Sequence, residues 1–263
     1  MFNNNEITLR FNENLYGKGF RNICDVYPIV PAKKIEKSWW KIMKTHYDVF
    51  LSNTRKDFKK SEPTIKYCPG IFDFTNYGYI VPAWQDFQFW VDDNGEIEWV
   101  VPISMQQIDN VQTHPKEQVD TCPILDNSAK YILKIMSPWL ISTPKGTSLI
   151  MCKPFYHYSN DFDVCPGVLD SDIELDLSNN EINVMLRFNV KNKVIHIKAG
   201  QPLIQLIPFK RTNWKLKHWE IDKNFRDKVL KNRIEMDTKF ESRLVDKDSM
   251  TKFRHDDSNK KFE

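Results

Sequence analysis

Hydrophobic and polar residues alternate along the middle of the chain, a pattern typical of half-buried β-strands. The clean alternation runs over 182–190, and other runs rich in aliphatic, aromatic or β-branched residues, which favour strands, lie at 8–11, 73–82, 131–136, 139–142, 148–152, 173–177, 194–197 and 203–209. Two more runs, 87–92 and 97–101, flank Asn94-Gly95, a dipeptide that favours a two-residue hairpin turn with positive φ at both centres. The pattern therefore predicts a mainly β core.

The two ends of the chain have a different periodicity. Apolar residues recur at steps of three and four over 33–50, with lysines on the other side, which predicts an N-terminal amphipathic helix. The preceding stretch, 27–32, contains two prolines and is predicted to be extended. Beyond 211 the chain is highly charged, and 216–245 is predicted to form one or two helices. We therefore predict an N-terminal extension over 1–63, a β-rich core domain over 64–211, and a charged helical extension with a polar tail over 212–263.

Composition narrows the class of protein. With 263 residues, 41% of them hydrophobic, the chain can form one packed domain with appendages. The net charge of +3, from 38 basic and 35 acidic residues, is too balanced to indicate nucleic acid. Five cysteines without a CxxC pair indicate free thiols in a reducing compartment. The sequence has no signal peptide and no long apolar run, so we expect a cytoplasmic protein without membrane contact.

Three short motifs between 143 and 209 suggest a family. They are the turn Thr143-Pro144-Lys145-Gly146, the segment Gly167-Val168-Leu169-Asp170-Ser171-Asp172, and the stretch from Gly200 to Leu206. Their order resembles that of the dUTPase and dCTP-deaminase superfamily. The resemblance implies a β-clip, barrel or sandwich-like core, in which Asp170 would activate water beside Asp172. It also implies a bound nucleotide, with Mg²⁺ bridging its phosphates only if this chemistry is present.

A wider resemblance covers 64–211. Together with Ser137-Pro138-Trp139, the same motifs are similar to an uncharacterised protein family of bacteria and tailed phages. That resemblance implies a β sandwich-like domain and a phage-encoded protein in the host cytoplasm, and it implies no activity.

Each candidate residue has a structural alternative. Asp170 and Asp172 are the catalytic candidates, but paired aspartates after a glycine more often cap a turn by accepting hydrogen bonds from nearby amides. The ligand-binding candidates are Phe155, Tyr156, His157, Tyr158 and Gly167. The aromatic rings would stack on a base or sugar, although aromatic residues at this density more often pack a core.

Three further groups of residues could form a metal, thiol or phosphate site, but each fits a structural role better. His114 and His157 would ligate a metal with Asp161 or Asp163, but the His-x-Asp spacing of facial-triad sites is absent and no metal site is predicted. Cys152 and Cys165 fit small buried hydrophobes better than a nucleophile or redox pair. The lysines of 33–44 fit a solvated helix face better than a phosphate site.

Two functional hypotheses follow. The first is a non-enzymatic binding or assembly module without a cofactor, which contacts a protein partner or a second copy through its C-terminal helices. It rests on the absence of other recognisable catalytic residues. The second is a diverged nucleotide-directed hydrolase of the dUTPase-like class that uses Asp170.

Overall fold

The computed structural model describes residues 6–51, 58–119, 130–155, 157, 159–172, 180–218 and 223–238. Antiparallel β-sheets dominate it, so the predicted mainly β class is confirmed. The chain divides into two compact units, Met1–Thr212 and Asn213–Glu263. Among the described residues, no helix is long and apolar enough to cross a membrane.

The first unit contains all the strands that the structure describes. In chain order they are β1 (Thr8–Phe11), β2 (Val30–Pro31), β3 (His46–Leu51), β4 (Phe58–Pro63), β5 (Tyr79–Pro82), β6 (Phe87–Val91), β7 (Ile97–Val100), β8 (Val111–Pro115), β9 (Tyr131–Ser142), β10 (Thr147–Cys152), β11 (Phe162–Val164), β12 (Gly167–Leu169), β13 (Glu181–Phe188), β14 (Lys193–Ile197) and β15 (Pro202–Lys210). The helices of this unit are α1 (Glu13–Tyr16), α2 (Ile23–Val26), α3 (Ser38–Ile42) and α4 (Pro69–Asn76).

These strands form four antiparallel sheets. One sheet has the order β1-β9-β13-β11, and β8 also pairs with β9. A second has the order β12-β10-β15-β5-β2, a third β14-β6-β7, and β3 pairs with β4 alone. Consecutive strands of the chain therefore often lie in different sheets, so the sheets depend on pairings between distant segments.

A continuous hydrophobic core joins the three larger sheets. In β13 the residues Ile182, Val184, Leu186 and Phe188 are fully buried and alternate with partly exposed ones, as the sequence pattern predicts. Burying a side chain of this size contributes about 1.5–3 kcal/mol to the free energy of unfolding. The N-terminal residues take part as well, because Tyr16 lies in the same core.

The hairpin predicted around Asn94-Gly95 is present, but its turn differs from the expected type. Strands β6 and β7 pair in register from Val91↔Ile97 onwards. Only Gly95 has a positive φ, and the Asp92 N–H donates to the Glu96 carbonyl oxygen at 3.0 Å. The connection is therefore a type I turn followed by a glycine bulge, a common three-residue hairpin loop.

The predicted helix over 33–50 is wrong as a continuous element. Only Ser38–Ile42 forms an α-helix there, after a single 3₁₀ turn at Ala32–Lys34, and His46–Leu51 forms strand β3 instead. Aromatic and β-branched residues such as Tyr47 and Val49 favour a strand, and pairing with β4 satisfies its backbone. Long-range pairing has therefore overridden a local helical period.

Two other predictions differ in detail. The composition of 73–82 predicts a strand over the whole stretch. Its first residues instead belong to α4, which extends to Asn76, and β5 begins only at Tyr79. Pro69 at the start of α4 favours a helix beginning there, because its φ is already helical. The strand predicted over 173–177 lies outside the described residues.

In the second unit, residues 216–218 have no regular secondary structure and helix α5 spans Lys223–Thr238. The remainder of the predicted 216–245 helical region lies outside the described residues. The division of the first unit at residue 63 stays a prediction.

Candidate functional site

Asp170 and Asp172 follow the short strand β12, beside the beginning of β10. Because Leu149 pairs with Leu169, the antiparallel register places Ser148 opposite Asp170. The Ser148 hydroxyl donates a short hydrogen bond to Asp170 Oδ1. The first candidate carboxylate is thus held by a buried serine, although its side chain remains 54% exposed.

Arg211 joins the two aspartates. Its Nη1 lies 3.1 Å from Asp170 Oδ1, and its Nη2 forms an ion pair with Asp172 Oδ2. Arg211 directly follows β15, and its backbone N–H donates to the carbonyl oxygen of Gly146 at 2.8 Å. A single guanidinium therefore offsets part of the negative charge of both carboxylates through charge-assisted hydrogen bonds.

Asp172 is the more enclosed carboxylate, with a side chain only 5% exposed. Its Oδ2 accepts a hydrogen bond from the Gly146 N–H at 2.8 Å. Burial raises the pKa of Asp172, but the Gly146 N–H and Arg211 outweigh this effect and lower the pKa below its usual value. Asp172 is therefore a weak proton acceptor.

The partners of the aspartates are distant in the chain. Ser148 precedes Asp170 by 22 residues and Gly146 precedes Asp172 by 26. Asp170 thus connects the end of β12 to β10, and Asp172 connects it to the turn 143–146.

A cavity of about 350 Å³ lies on the same turn. It is lined by Ile7, Tyr77, Tyr79, Pro144, Thr147, Pro208, Phe209 and Lys210. Aromatic rings and prolines form most of its wall, and Lys210 supplies a positive charge. The volume is within the range typical of small-molecule sites.

Asp170 and Asp172 are not among the residues that line the cavity. Thr147 lines the cavity, whereas its neighbour Ser148 binds Asp170. Phe209 pairs with Ser148 and also lines the cavity, so the aspartates lie beside the cavity and not in its wall. The structure therefore does not bring the acidic candidates into the cavity.

The loop that carries the other ligand-binding candidates is attached to β15 by Gln205. The Phe155 N–H donates to Gln205 Oε1 at 3.2 Å, and Gln205 Nε2 donates to the carbonyl oxygens of Phe74 and Tyr77 at 3.0 and 2.8 Å. The rings of Phe74 and Phe155 also meet edge to face, with centroids 3.6 Å apart. Gln205 therefore positions Tyr77, which lines the cavity.

The remaining ligand-binding candidates either do not line the cavity or lie outside the described residues. His157 is half-buried, and burial together with the nearby charge of Lys37 lowers its pKa. Gly167 pairs with Met151 in the β12–β10 ladder. Tyr156 and Tyr158 lie outside the described residues.

Three of the four metal-ligand candidates, His114, Asp161 and Asp163, have other partners. His114 Nδ1 contacts Gln118, and Lys193 forms an ion pair with Asp161 at 2.7 Å. Asp163 binds Lys153, Arg187 and Asn189 at 2.7, 3.1 and 2.8 Å. Within the described parts of the chain, no three His, Cys, Asp or Glu residues form a group able to hold a metal ion. With Arg211 bound to both aspartates, Asp170 and Asp172 also do not fit a Mg²⁺ site.

The two cysteines considered together show no sign of activation. The Cys152 thiol contacts the Gln205 carbonyl oxygen at 3.8 Å, and burial raises the pKa of this thiol. A raised pKa reduces the thiolate fraction and hence the reactivity of a cysteine. Cys165 is partly buried as well.

Sequence reasoning missed Arg211, Ser148, Gln205 and the cavity. The only sequence signal for Arg211 was its position as a basic residue just after the last strand. The only signal for Gln205 was its position as a polar residue inside an apolar strand. Each gains its role from a residue far away in the chain.

No family model and no curated protein matches the chain. A comparison with solved structures finds dUTPases of staphylococcal phages. A mutant dUTPase from phage phi11 of S. aureus, described with a structural Mg(II) ion, has a TM-score of 0.30 and 10% identity, covering 56% of this chain and 85% of its own. A second phi11 dUTPase structure has a TM-score of 0.30 and 9% identity, covering 84% and 100%. A mutant dUTPase from Staphylococcus bacteriophage 80alpha has a TM-score of 0.27 and 14% identity, covering 57% and 86%.

These neighbours belong to the class that the motifs between 143 and 209 resemble. They are consistent with that partial resemblance. At TM-scores of 0.27–0.30, however, neither the fold nor the function of this chain follows from them.

Proposed function

We propose that the first unit is a non-enzymatic binding module for a small planar ligand with an acidic group, and that nucleotides are the first class to test. The cavity beside the turn 143–146 is the observation that carries this proposal. Its size suits a ligand of this kind, and its wall combines ring surfaces with one cation.

The chemistry of the wall supports the ligand class. Tyr77, Tyr79 and Phe209 offer aromatic faces and edges, on which a planar ring can stack. Lys210 offers an ammonium group to a phosphate or carboxylate, and the tyrosine hydroxyls can donate hydrogen bonds. A neutral aliphatic ligand would leave Lys210 without a role.

The types of side chain in the cavity wall support a non-enzymatic role. Among the described residues that line the cavity there is no Asp, Glu, His or Cys, and Tyr77, Tyr79 and Lys210 are its titratable side chains. The candidate acids Asp170 and Asp172 are not among the lining residues, and both bind Arg211. Acid–base catalysis by a carboxylate or an imidazole requires that group within hydrogen-bond reach of the reacting atom.

A thermal-shift screen of the full chain against nucleoside mono-, di- and triphosphates tests the proposal. A ligand at a hundredfold excess over its dissociation constant stabilises the protein by about 2.7 kcal/mol. For a responding nucleotide, Tyr77→Leu should lower the affinity about tenfold through lost stacking. Tyr47→Leu is the matched control, because both tyrosines are 54% exposed. Equal loss in both variants, or no response to any nucleotide, would reject the cavity as the site.

A second candidate is the nucleotide-directed hydrolase. The partial exposure of Asp170 favours it, because a half-exposed carboxylate held by Ser148 can orient a water molecule. Release of pyrophosphate or phosphate from each triphosphate, with and without Mg²⁺, would measure this activity. Asp170→Asn should abolish turnover, whereas the exposed control Asp93→Asn should not. In the binding-module proposal neither variant turns over substrate and both keep nucleotide affinity.

A further inference from the structure

The second unit exposes large apolar side chains to solvent. Trp214 and Leu216 are 90% and 89% exposed. They alternate with Lys215 and Lys217 in a segment without regular secondary structure. An exposed indole ring next to Lys215 suits a partner with both flat rings and negative charge.

Charge is concentrated in the same region. From Asn213 to Ile234 the sequence has seven Lys or Arg and three Asp or Glu, hence a local net charge of +4, and Glu235 and Asp237 reduce it to +2 by the end of α5 at Thr238. Residues 1–212 contain 24 basic and 24 acidic residues and are neutral. The small whole-chain charge thus conceals a basic segment, which is the electrostatic signature of a polyanion-binding surface.

Helix stability does not account for this charge distribution. The first turn of α5 has no acidic residue and its last turn has no basic one, whereas the helix macrodipole favours acids first and bases last. Lys223 and Arg226 instead lie near the N-terminus of α5, and Asp237 lies near its end.

The apolar residues of α5 do not form one stripe. With 100° per residue, Phe225 and Val229 lie on one side, and Leu230 and Ile234 lie about 140° around the helix. A protein groove that binds an amphipathic helix contacts a single apolar face. The described charges and rings therefore favour nucleic acid over the protein partner predicted from the sequence.

We propose that this basic segment, described over 213–218 and 223–234, binds single-stranded nucleic acid. Trp214 stacks on a base, and the lysines of the extended part, with Lys223 and Arg226, contact phosphates. This proposal is independent of the cavity and of its ligand.

Fluorescence anisotropy of the full chain with a labelled oligothymidylate of about 20 nucleotides tests the proposal, with the matching RNA and a duplex as further probes. Trp214→Ala should weaken single-strand binding about tenfold. Trp90→Ala, at an exposed tryptophan of the first unit, is the control and should leave the affinity unchanged. Trp214→Ala should also leave the nucleotide response of the thermal screen unchanged.

Salt dependence gives a second readout, which a structural defect would not reproduce. Replacing Lys215 and Lys217 by glutamine should reduce the slope of log affinity against log salt by about 1.4, at about 0.7 per single-strand phosphate contact. The exposed pair Lys33 and Lys34 provides the matched double control. Absence of binding at low salt, a preference for duplex, or equally effective competition by polyglutamate would overturn the proposal. The last result would indicate an acidic protein instead.

Discussion

Gly78 lies so close to Leu206 that a β-carbon on Gly78 would overlap the carbonyl oxygen of Leu206. Its φ of +77° is also one that L side chains rarely adopt. Because Gly78 stands between the cavity residues Tyr77 and Tyr79, this close approach holds the tyrosines against β15.

Replacing Gly78 by alanine should lower the free energy of unfolding by about 3 kcal/mol, since it adds backbone strain to steric overlap. Urea unfolding measures the change. Gly146→Ala separates the two causes, because Gly146 has φ of +78° but open space around it, and should cost about 1–2 kcal/mol. Gly19→Ala, with neither feature, should change stability by less than about 0.5 kcal/mol. Equal costs at Gly78 and Gly146 would show that overlap contributes nothing.

Gln205→Leu should destabilise the protein by about 3 kcal/mol, because the Phe155 N–H and the carbonyl oxygens of Phe74 and Tyr77 lose their buried partner. The same variant should weaken nucleotide binding, as Tyr77 loses its support. Gln88→Leu on the exposed face of β6 is the control for the substitution itself. A Gln205 variant as stable as the Gln88 variant would contradict the positioning role.

Asp172 should make the protein sensitive to acid. Its folded-state pKa lies below the usual 3.8, so its stabilising contribution is present above the unfolded-state pKa and is lost as pH falls through the folded-state value. Urea unfolding measured from pH 6 to pH 2 should therefore show a shallower loss of stability for Asp172→Asn than for the unchanged protein. The exposed Asp93→Asn serves as control, and identical pH profiles for the unchanged protein and Asp172→Asn would refute this role.

Tyr16 should make the folded protein less stable at alkaline pH, whereas Asp172 makes it less stable in acid. Its hydroxyl donates to the Met136 carbonyl oxygen at 2.8 Å and accepts from Asn110 Nδ2 at 3.0 Å. Burial raises the pKa of Tyr16, so its contribution is complete below the unfolded-state pKa and is lost as pH rises toward the folded-state value. Tyr16→Phe should cost about 1–3 kcal/mol at pH 7 and reduce the alkaline loss. The exposed Tyr47→Phe should do neither.

Local sequence determined the strands whose pattern is set by one buried face. The alternation of β13 and the glycine-containing hairpin between β6 and β7 are both present, because side-chain period and turn conformation are properties of neighbouring residues. The mainly β class follows from the same information.

Only the tertiary structure decided which distant segments meet. The stretch 46–51 is a strand because β4 pairs with it, although its spacing of apolar residues also fits a helix. Arg211 binds Asp170 and Asp172 because β15 and β12 both flank β10. The cavity likewise combines Ile7, Tyr77, Thr147 and Lys210, which no spacing along the chain relates. Periodicity reports which face of an element is buried, whereas a site depends on non-local pairing that brings those elements together.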